Sequence, residues 1–169
     1  MSTHINFIPI NIAVVTISDT RVLDNDKSGD VLEKRVLESN HKIISREIVK
    51  DDFDKISQLF QNLINNKKID VIISTGGTGL TGRDITPEVM KTLFDKTIDG
   101  FGEMFRWLSY SKIGTSALQS RALAGVSNGT YIFCLPGSPS ACRDGWDQIL
   151  IHQLDIRHKP CNFVEIMPR

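Results

Sequence analysis

Apolar residues along this chain fall into short β-branched runs separated by stretches with helical spacing. The first run, Ile12-Ala-Val-Val-Thr-Ile17, is continuous rather than alternating, as expected of a strand covered on both faces. Behind it, residues 28–37 carry Val31, Leu32 and Val36 at helical spacing, with Ser28 read as the cap. Residues 42–49 predict a second strand. Residues 53–66 predict an amphipathic helix, with Ile56, Leu59, Phe60, Leu63 and Ile64 on one stripe. A strand over 70–75 follows, then helices over 88–94, 101–110 and 115–122. A strand over 130–135 and a closing helix from 138 to about 157 complete the pattern, and the proline-containing tail from Lys159 is expected to be an irregular arm. This alternation predicts an α/β fold: a doubly wound, mainly parallel sheet with helices on both faces, in three layers.

Composition narrows the function classes. The 169 residues are read as one domain, 1–169, long enough to bury a sizeable core and without repeats or linkers. Twenty Lys and Arg balance twenty Asp and Glu, so no broad field points to nucleic acid. No apolar stretch reaches the length of a membrane span, and Met1 to Asn6 lack a signal-peptide pattern, so a cytoplasmic protein with no membrane partner is expected. The three cysteines (Cys134, Cys142, Cys161) form no Cys-x-x-Cys pair, and the four histidines are scattered. Neither set offers a structural zinc site.

The candidate chemistry centres on Ser74-Thr-Gly-Gly-Thr-Gly-Leu-Thr-Gly-Arg-Asp-Ile-Thr-Pro-Glu88, which joins a β-branched strand to a helix start. Gly76, Gly77, Gly79 and Gly82 let the backbone approach a ligand and turn its N–H groups inward, a cradle suited to phosphate. Gly77, Gly79 and Gly82 also fit the dinucleotide pattern G-x-G-x-x-G. That fingerprint follows a first strand and opens a helix directly, whereas here Arg83-Asp84-Ile85 intervenes after a third strand. A P-loop would need Lys and Ser/Thr where Arg83 and Asp84 stand. Arg83 can neutralise phosphate; Asp84 would repel it unless a divalent cation lies between them, which suggests Mg²⁺ with a nucleotide.

Leu135-Pro-Gly-Ser-Pro139 leaves another strand and opens a helix with Ser138 as cap, a second anion cradle if the loops meet at one sheet rim. Asp51 follows the second strand on that rim, while Asp52 caps the next helix. Ser18-Asp19-Thr20 ends the first strand there too. Glu103 sits in a helix start, where a carboxylate is favoured in any case. Ser116, Gln119, Ser120 and Arg121 form a donor-rich run that reads equally as an anion site or a solvated face. No Ser/His/Asp or Cys/His arrangement is legible, so covalent catalysis finds no support.

The stretch Thr75 to Asp84 with Thr86-Pro87-Glu88, then Gly100-Phe-Gly-Glu103, Gly114-Thr-Ser116, Ser120-Arg121 and Leu135-Pro-Gly-Ser-Pro139, resembles the MoaB/MogA family of molybdenum cofactor biosynthesis. The resemblance runs over nearly the whole chain. Gly114 to Ala122, Ala141-Cys-Arg143 and Lys159-Pro-Cys-Asn-Phe163 look closer to the MoaB branch. It implies a protein that binds molybdopterin and adenylylates its terminal phosphate with ATP, releasing pyrophosphate. It further implies that Gly76, Gly77, Thr78 and Gly79 cradle phosphate, and that Asp51 and Asp84 organise Mg²⁺ and the α-phosphate. Pro136, Gly137 and Ser138 would line the nucleotide side, with Ser116, Ser120 and Arg121 toward the pterin phosphate. Homotrimers or pairs of trimers are implied, with hand-over to a molybdenum-inserting protein. MogA-type chains carry proline before the first acidic position, where this chain has Lys50. The MoaB branch also includes chains that lack an Asp at the first acidic position. This chain keeps Asp51 and Asp84, and the paired carboxylates favour an enzyme over the alternative, an inactive pterin-binding or scaffold protein of the same fold.

Overall fold

The computed structural model describes residues 5–168; Met1 to His4, in the stretch read as lacking a signal pattern, lie outside the described residues, as does Arg169. Six strands form one sheet in the order β2-β1-β3-β6-β5-β4, where β1 is Asn11–Ile17, β2 Lys42–Val49, β3 Val71–Thr75, β4 Lys96–Thr97, β5 Leu123–Ser127 and β6 Thr130–Leu135. The first four strands in that order are parallel, and β5 pairs antiparallel with both β6 and β4.

The continuous apolar runs follow from this layering. Along β1, Ile12 and Val14 enter one core while Ala13, Val15 and Ile17 enter the other. In β3, Val71 and Ile73 face the first core and Ile72 the second. Alternate residues point to opposite faces and both faces are covered, so the runs are apolar until the carboxyl ends, where Thr16, Ser74 and Thr75 are buried beside the rim. The first core is closed by α1 (Lys27–Glu38), α4 (Asp99–Ile113) and α5 (Pro139–Gly145), through Leu32, Val36, Phe101, Phe105 and Cys142. The second is closed by α2 (Phe53–Asn65) and α3 (Thr86–Leu93), through Ile56, Phe60, Val89 and Met90. The three-layer α/β fold expected from the pattern is the fold observed.

Three local expectations are corrected. Helix α1 is capped by Asp26, whose Oδ1 accepts the Gly29 N–H at 3.0 Å; Ser28 lies in the first turn and donates to the same oxygen. No α-helix covers 115–122: Gly114–Gln119 is a 3₁₀ turn, and β5 begins at Leu123. That strand exists because Asn128 (φ 47°) and Gly129 (φ 83°) make a two-residue hairpin turn to β6, with Ser127 opposite Thr130. The closing helix breaks into α5, a π turn over Trp146–Leu150 and the short α6 (Ile151–Gln153), and so stops before Arg157. The tail is irregular as expected, yet packed: Phe163 stacks at 5.2 and 5.6 Å from the rings of Tyr131 and Phe133.

The parallel strands place their carboxyl ends on one rim, with Ile17 opposite Val49, Thr16 opposite Thr75, and Thr75 opposite Leu135. The chain runs outward from β1 to β2 and then returns to β3 on the other side. The glycine loop therefore leaves the sheet at its switch point, where α/β sheets take ligands.

Candidate active site

Two of the loop glycines are demanded by geometry. Gly76 has φ +105°, and a Cβ there would lie 2.1 Å from the backbone oxygen of Ile17. Gly77 has φ +64°, and its Cβ would meet Thr86 Oγ1 at 2.3 Å and Asp51 Oδ1 at 3.0 Å. The loop is sewn down at both ends. The Gly76 N–H donates to Leu135 O at 3.0 Å, while Thr86 donates from its hydroxyl to Gly76 O and from its N–H to Gly77 O. The second loop packs directly against it, since a Cβ on Gly137 would reach Gly76 Cα at 3.4 Å. Thr75 Oγ1 also donates to Pro136 O at 3.0 Å.

These loops line a cleft of about 810 Å³. Of the residues singled out in the sequence, Asp51, Gly76, Gly77, Thr78, Gly79 and Asp84 line it. Ser120, Pro136, Gly137 and Ser138 do so as well. Gly82, Asp19 and four others lie outside the lining. Arg83 is exposed and paired with Asp19. Glu103 and Ser116 are exposed on α4 and on the 3₁₀ turn. Arg121, expected at the pterin phosphate, turns to the glycine loop's own backbone: Nε donates to Gly79 O at 2.8 Å and Nη2 to Asp84 O at 2.7 Å.

The structure adds cations to which the sequence reading gave no role at the site. Arg21, Lys112 and Arg143 line the cleft, from the β1–α1 loop, the last turn of α4 and α5. Lys112 pairs with Asp144 across the α4–α5 gap. The 101–110 helix prediction stopped short of Lys112, and nothing in the local sequence distinguishes Arg21 from a surface arginine.

Electrostatics separates the two carboxylates. Burial, followed by the charges of Asp19 and Asp84, raises the Asp51 carboxyl above its ordinary value. Its Oδ1 is buried without a hydrogen-bond partner. Asp84 is held below its ordinary value, first by the Thr81 hydroxyl, whose Oγ1 donates to Oδ2 at 2.5 Å, together with the Thr81 and Gly79 N–H groups. One carboxylate is thus satisfied by donors, and the other keeps a buried oxygen without a hydrogen-bond partner. Among the described residues no group of three or more His, Cys, Asp or Glu is arranged to hold a metal alone. Cys142, below the site, donates its Sγ–H to Thr75 Oγ1 at 3.2 Å. Burial pushes its thiol up to about 12, so it stays protonated and is no nucleophile.

Fold and cleft together define a class: a doubly wound α/β protein whose glycine-lined anion cradle meets two carboxylates at the switch point. The chain matches the family described as a probable molybdopterin binding domain over residues 13–156, and it belongs to that family. It is 46% identical over 157 residues to molybdenum cofactor biosynthesis protein B of Escherichia coli (strain K12), covering 93% of this chain and 92% of the relative. A crystal structure of a molybdenum cofactor biosynthesis protein B aligns with TM-score 0.85 at 42% identity, over 87% of this chain and 92% of that one. The tungsten cofactor synthesizing protein MoaB from Pyrococcus furiosus aligns with TM-score 0.76 at 35% identity, over 84% and 91%. These relatives tie the chain to molybdenum cofactor biosynthesis. Among the described residues no helix is long and apolar enough to cross a membrane.

Proposed function

We propose that the protein is a cytoplasmic molybdopterin adenylyltransferase that uses Mg-ATP. The observation that carries this reading is Asp51: a carboxylate beside the phosphate cradle, with a buried oxygen that nothing in the protein satisfies. A buried carboxylate oxygen without a partner is costly, and a bound cation would satisfy it.

Mg²⁺ fits this donor set, because it takes one or two carboxylates and completes its shell with water and substrate phosphates rather than a closed protein cage. Asp51 and Asp84 would hold it, and bound there it would supply positive charge to the α-phosphate oxygens. In the transfer, an oxygen of the pterin's terminal phosphate attacks the α-phosphorus of ATP and forms a new P–O bond. The bond from that phosphorus to the bridging oxygen breaks, and pyrophosphate leaves with the electron pair. The attacking phosphate is already anionic, so no covalent nucleophile on the protein is needed. Gly77 and Thr78 would present backbone N–H groups to phosphate, the Gly76 N–H being held by Leu135 O and the Gly79 N–H by the Asp84 carboxylate, and Pro136 to Ser138 would close the nucleotide side. Arg21, Lys112 and Arg143 offset the charge of the two anionic substrates.

Self-association belongs to the same reading. Met104, Trp107, Tyr110, Ile113 and Leu118 leave large apolar side chains exposed along α4 and its 3₁₀ extension, Trp107 at 73% and Leu118 at 82%. Assembly as a trimer or a pair of trimers would cover them. Product would then pass to a molybdenum-inserting protein.

The test incubates purified protein with molybdopterin, ATP and Mg²⁺ and reads adenylylated pterin by mass, beside Asp51→Ala and Asp84→Ala. Product from the parent and none from either variant is the expected result. Pterin binding without product, in folded and assembled parent protein, would leave a binding or scaffold protein instead.

A further inference from the structure

The distal half of the glycine loop, from Gly79 to Asp84, has little of its own to hold it. Thr81 and Asp84 bond to each other, the exposed Arg83 reaches Asp19, and residues 80–83 are exposed. Yet this half carries Asp84. The contacts that fix it come from Arg121, some forty residues further along the chain. Arg121 Nε donates to Gly79 O at 2.8 Å, Nη2 donates to Asp84 O at 2.7 Å, and Nη1 pairs with Glu88 in the first turn of α3. Its backbone N–H donates to Thr78 O at 3.3 Å. One side chain and its own amide thus tie together both ends of the loop and the helix that follows.

Arg121 is itself anchored. Arg106 of α4 donates from Nη1 to Ser120 O at 3.4 Å and Ala122 O at 3.1 Å, bracketing it. Gly102 makes room for this bracket, since a Cβ there would lie 2.4 Å from Ala122 O and 2.9 Å from the Arg106 guanidinium. The path of contacts runs from the rigid α4, through 120–122, to the main chain beneath Asp84. Glu88 neutralises the Arg121 charge, and the guanidinium lies outside the cleft lining. An arginine so placed has little to offer a substrate phosphate and much to offer a loop that lacks regular hydrogen bonding.

We propose that Arg121 is a positioning residue: it fixes the Gly79–Asp84 main chain, and through it the Asp84 carboxylate, without contacting substrate. This rests on the adenylyl-transfer reading of the site for its kinetic consequence, but its structural half can be measured alone.

The experiment combines amide hydrogen exchange over residues 79–85 with transfer kinetics on Arg121→Lys, Arg121→Ala and Glu88→Gln. Lysine keeps the charge but cannot reach two carbonyls and Glu88 at once. Expected are faster exchange at 79–85 in both arginine variants, with exchange in β1 and β3 unchanged. The kcat should fall roughly 10- to 100-fold, and the KM for pterin should move less than about 3-fold. Glu88→Gln, which alters a carboxylate outside the cleft, should shift the same quantities in the same direction by a smaller factor. Unchanged exchange with a raised pterin KM in Arg121→Ala would overturn the proposal and make Arg121 a substrate ligand. Tighter pterin binding in Glu88→Gln would overturn it too, since removing the counter-charge would then free the arginine for phosphate. Should the parent make no product, the transferase reading fails, and exchange at 79–85 alone decides: faster exchange upholds the loop-fixing role, and unchanged exchange rejects it.

Discussion

Replacing Gly76 with alanine tests whether the cradle is built as described. The residue sits at φ +105°, where an L side chain is strained by about 1–2 kcal/mol. Its new Cβ would lie 2.1 Å from the Ile17 backbone oxygen, at the end of a central strand that cannot retreat without losing its pairing with β2 and β3. Forcing a methyl group into such a contact costs about 1–3 kcal/mol more. The sum, roughly 2–5 kcal/mol, corresponds to a fall in Tm of roughly 5–20 °C for a chain of this size. Gly82 supplies the control: it lies in the same glycine-rich stretch, a Cβ there meets nothing within 4 Å, and its φ is not positive. Gly82→Ala should stay within about 0.5 kcal/mol of the parent. Urea and thermal unfolding of both variants give the answer. Equal stabilities for Gly76→Ala and the parent would refute the close approach of the loop to β1, as would equal losses at both positions.

Further outcomes follow from the same geometry. Asp51→Asn should leave the melting temperature unchanged or slightly raised, because it removes a charge that burial and two neighbouring carboxylates disfavour, while adenylyl transfer falls at least ~100-fold. A clear loss of stability would mean that the aspartate is structural. His41 is buried with Nδ1 accepting the Ile10 N–H at 3.3 Å, and burial lowers its imidazole to about 4. The unfolded chain, titrating near 6.5, therefore takes up the proton first, and stability falls as pH drops from about 6.5 to about 4, by roughly 3 kcal/mol. In His41→Asn, which keeps an acceptor but does not titrate, the slope of urea-derived stability in that window should flatten; an unchanged slope would refute the assignment. Trp107→Glu places a charge in the exposed apolar band of α4 and should convert the proposed trimer to monomers in sedimentation velocity, whereas an unaltered oligomer would move the interface elsewhere.

The parallel half of the sheet was legible because Ile12 to Ile17 and Val71 to Ile73 are buried on two faces, which writes itself as an unbroken apolar run. The antiparallel edge was not. Leu123-Ala-Gly-Val-Ser127 is short and interrupted by Gly125, which lies against the Phe94 ring, where a Cβ would come within 2.4 Å. That contact is between residues far apart in the chain, and no local period announces it. The Asn128-Gly129 turn was the available signal for this hairpin. At the site, the glycine loop and Asp51 and Asp84 were readable from residue type and from their place after strands. Arg121 was placed in the right neighbourhood but facing the wrong way, because its partners are backbone carbonyls forty residues back. That Arg21, Lys112 and Arg143 converge was unreadable, although Arg143 stood in a recognised motif, since only the fold gathers the β1–α1 loop, the end of α4 and α5 around one cleft.

The central claim is that this cleft directs attack on the α-phosphorus of ATP. The most direct test follows label from α-³²P and γ-³²P ATP, in parallel, after incubation with molybdopterin and Mg²⁺. The account predicts α label on the pterin and γ label in pyrophosphate. Transfer of γ label to the pterin, or no transfer by protein that binds both substrates, would contradict it.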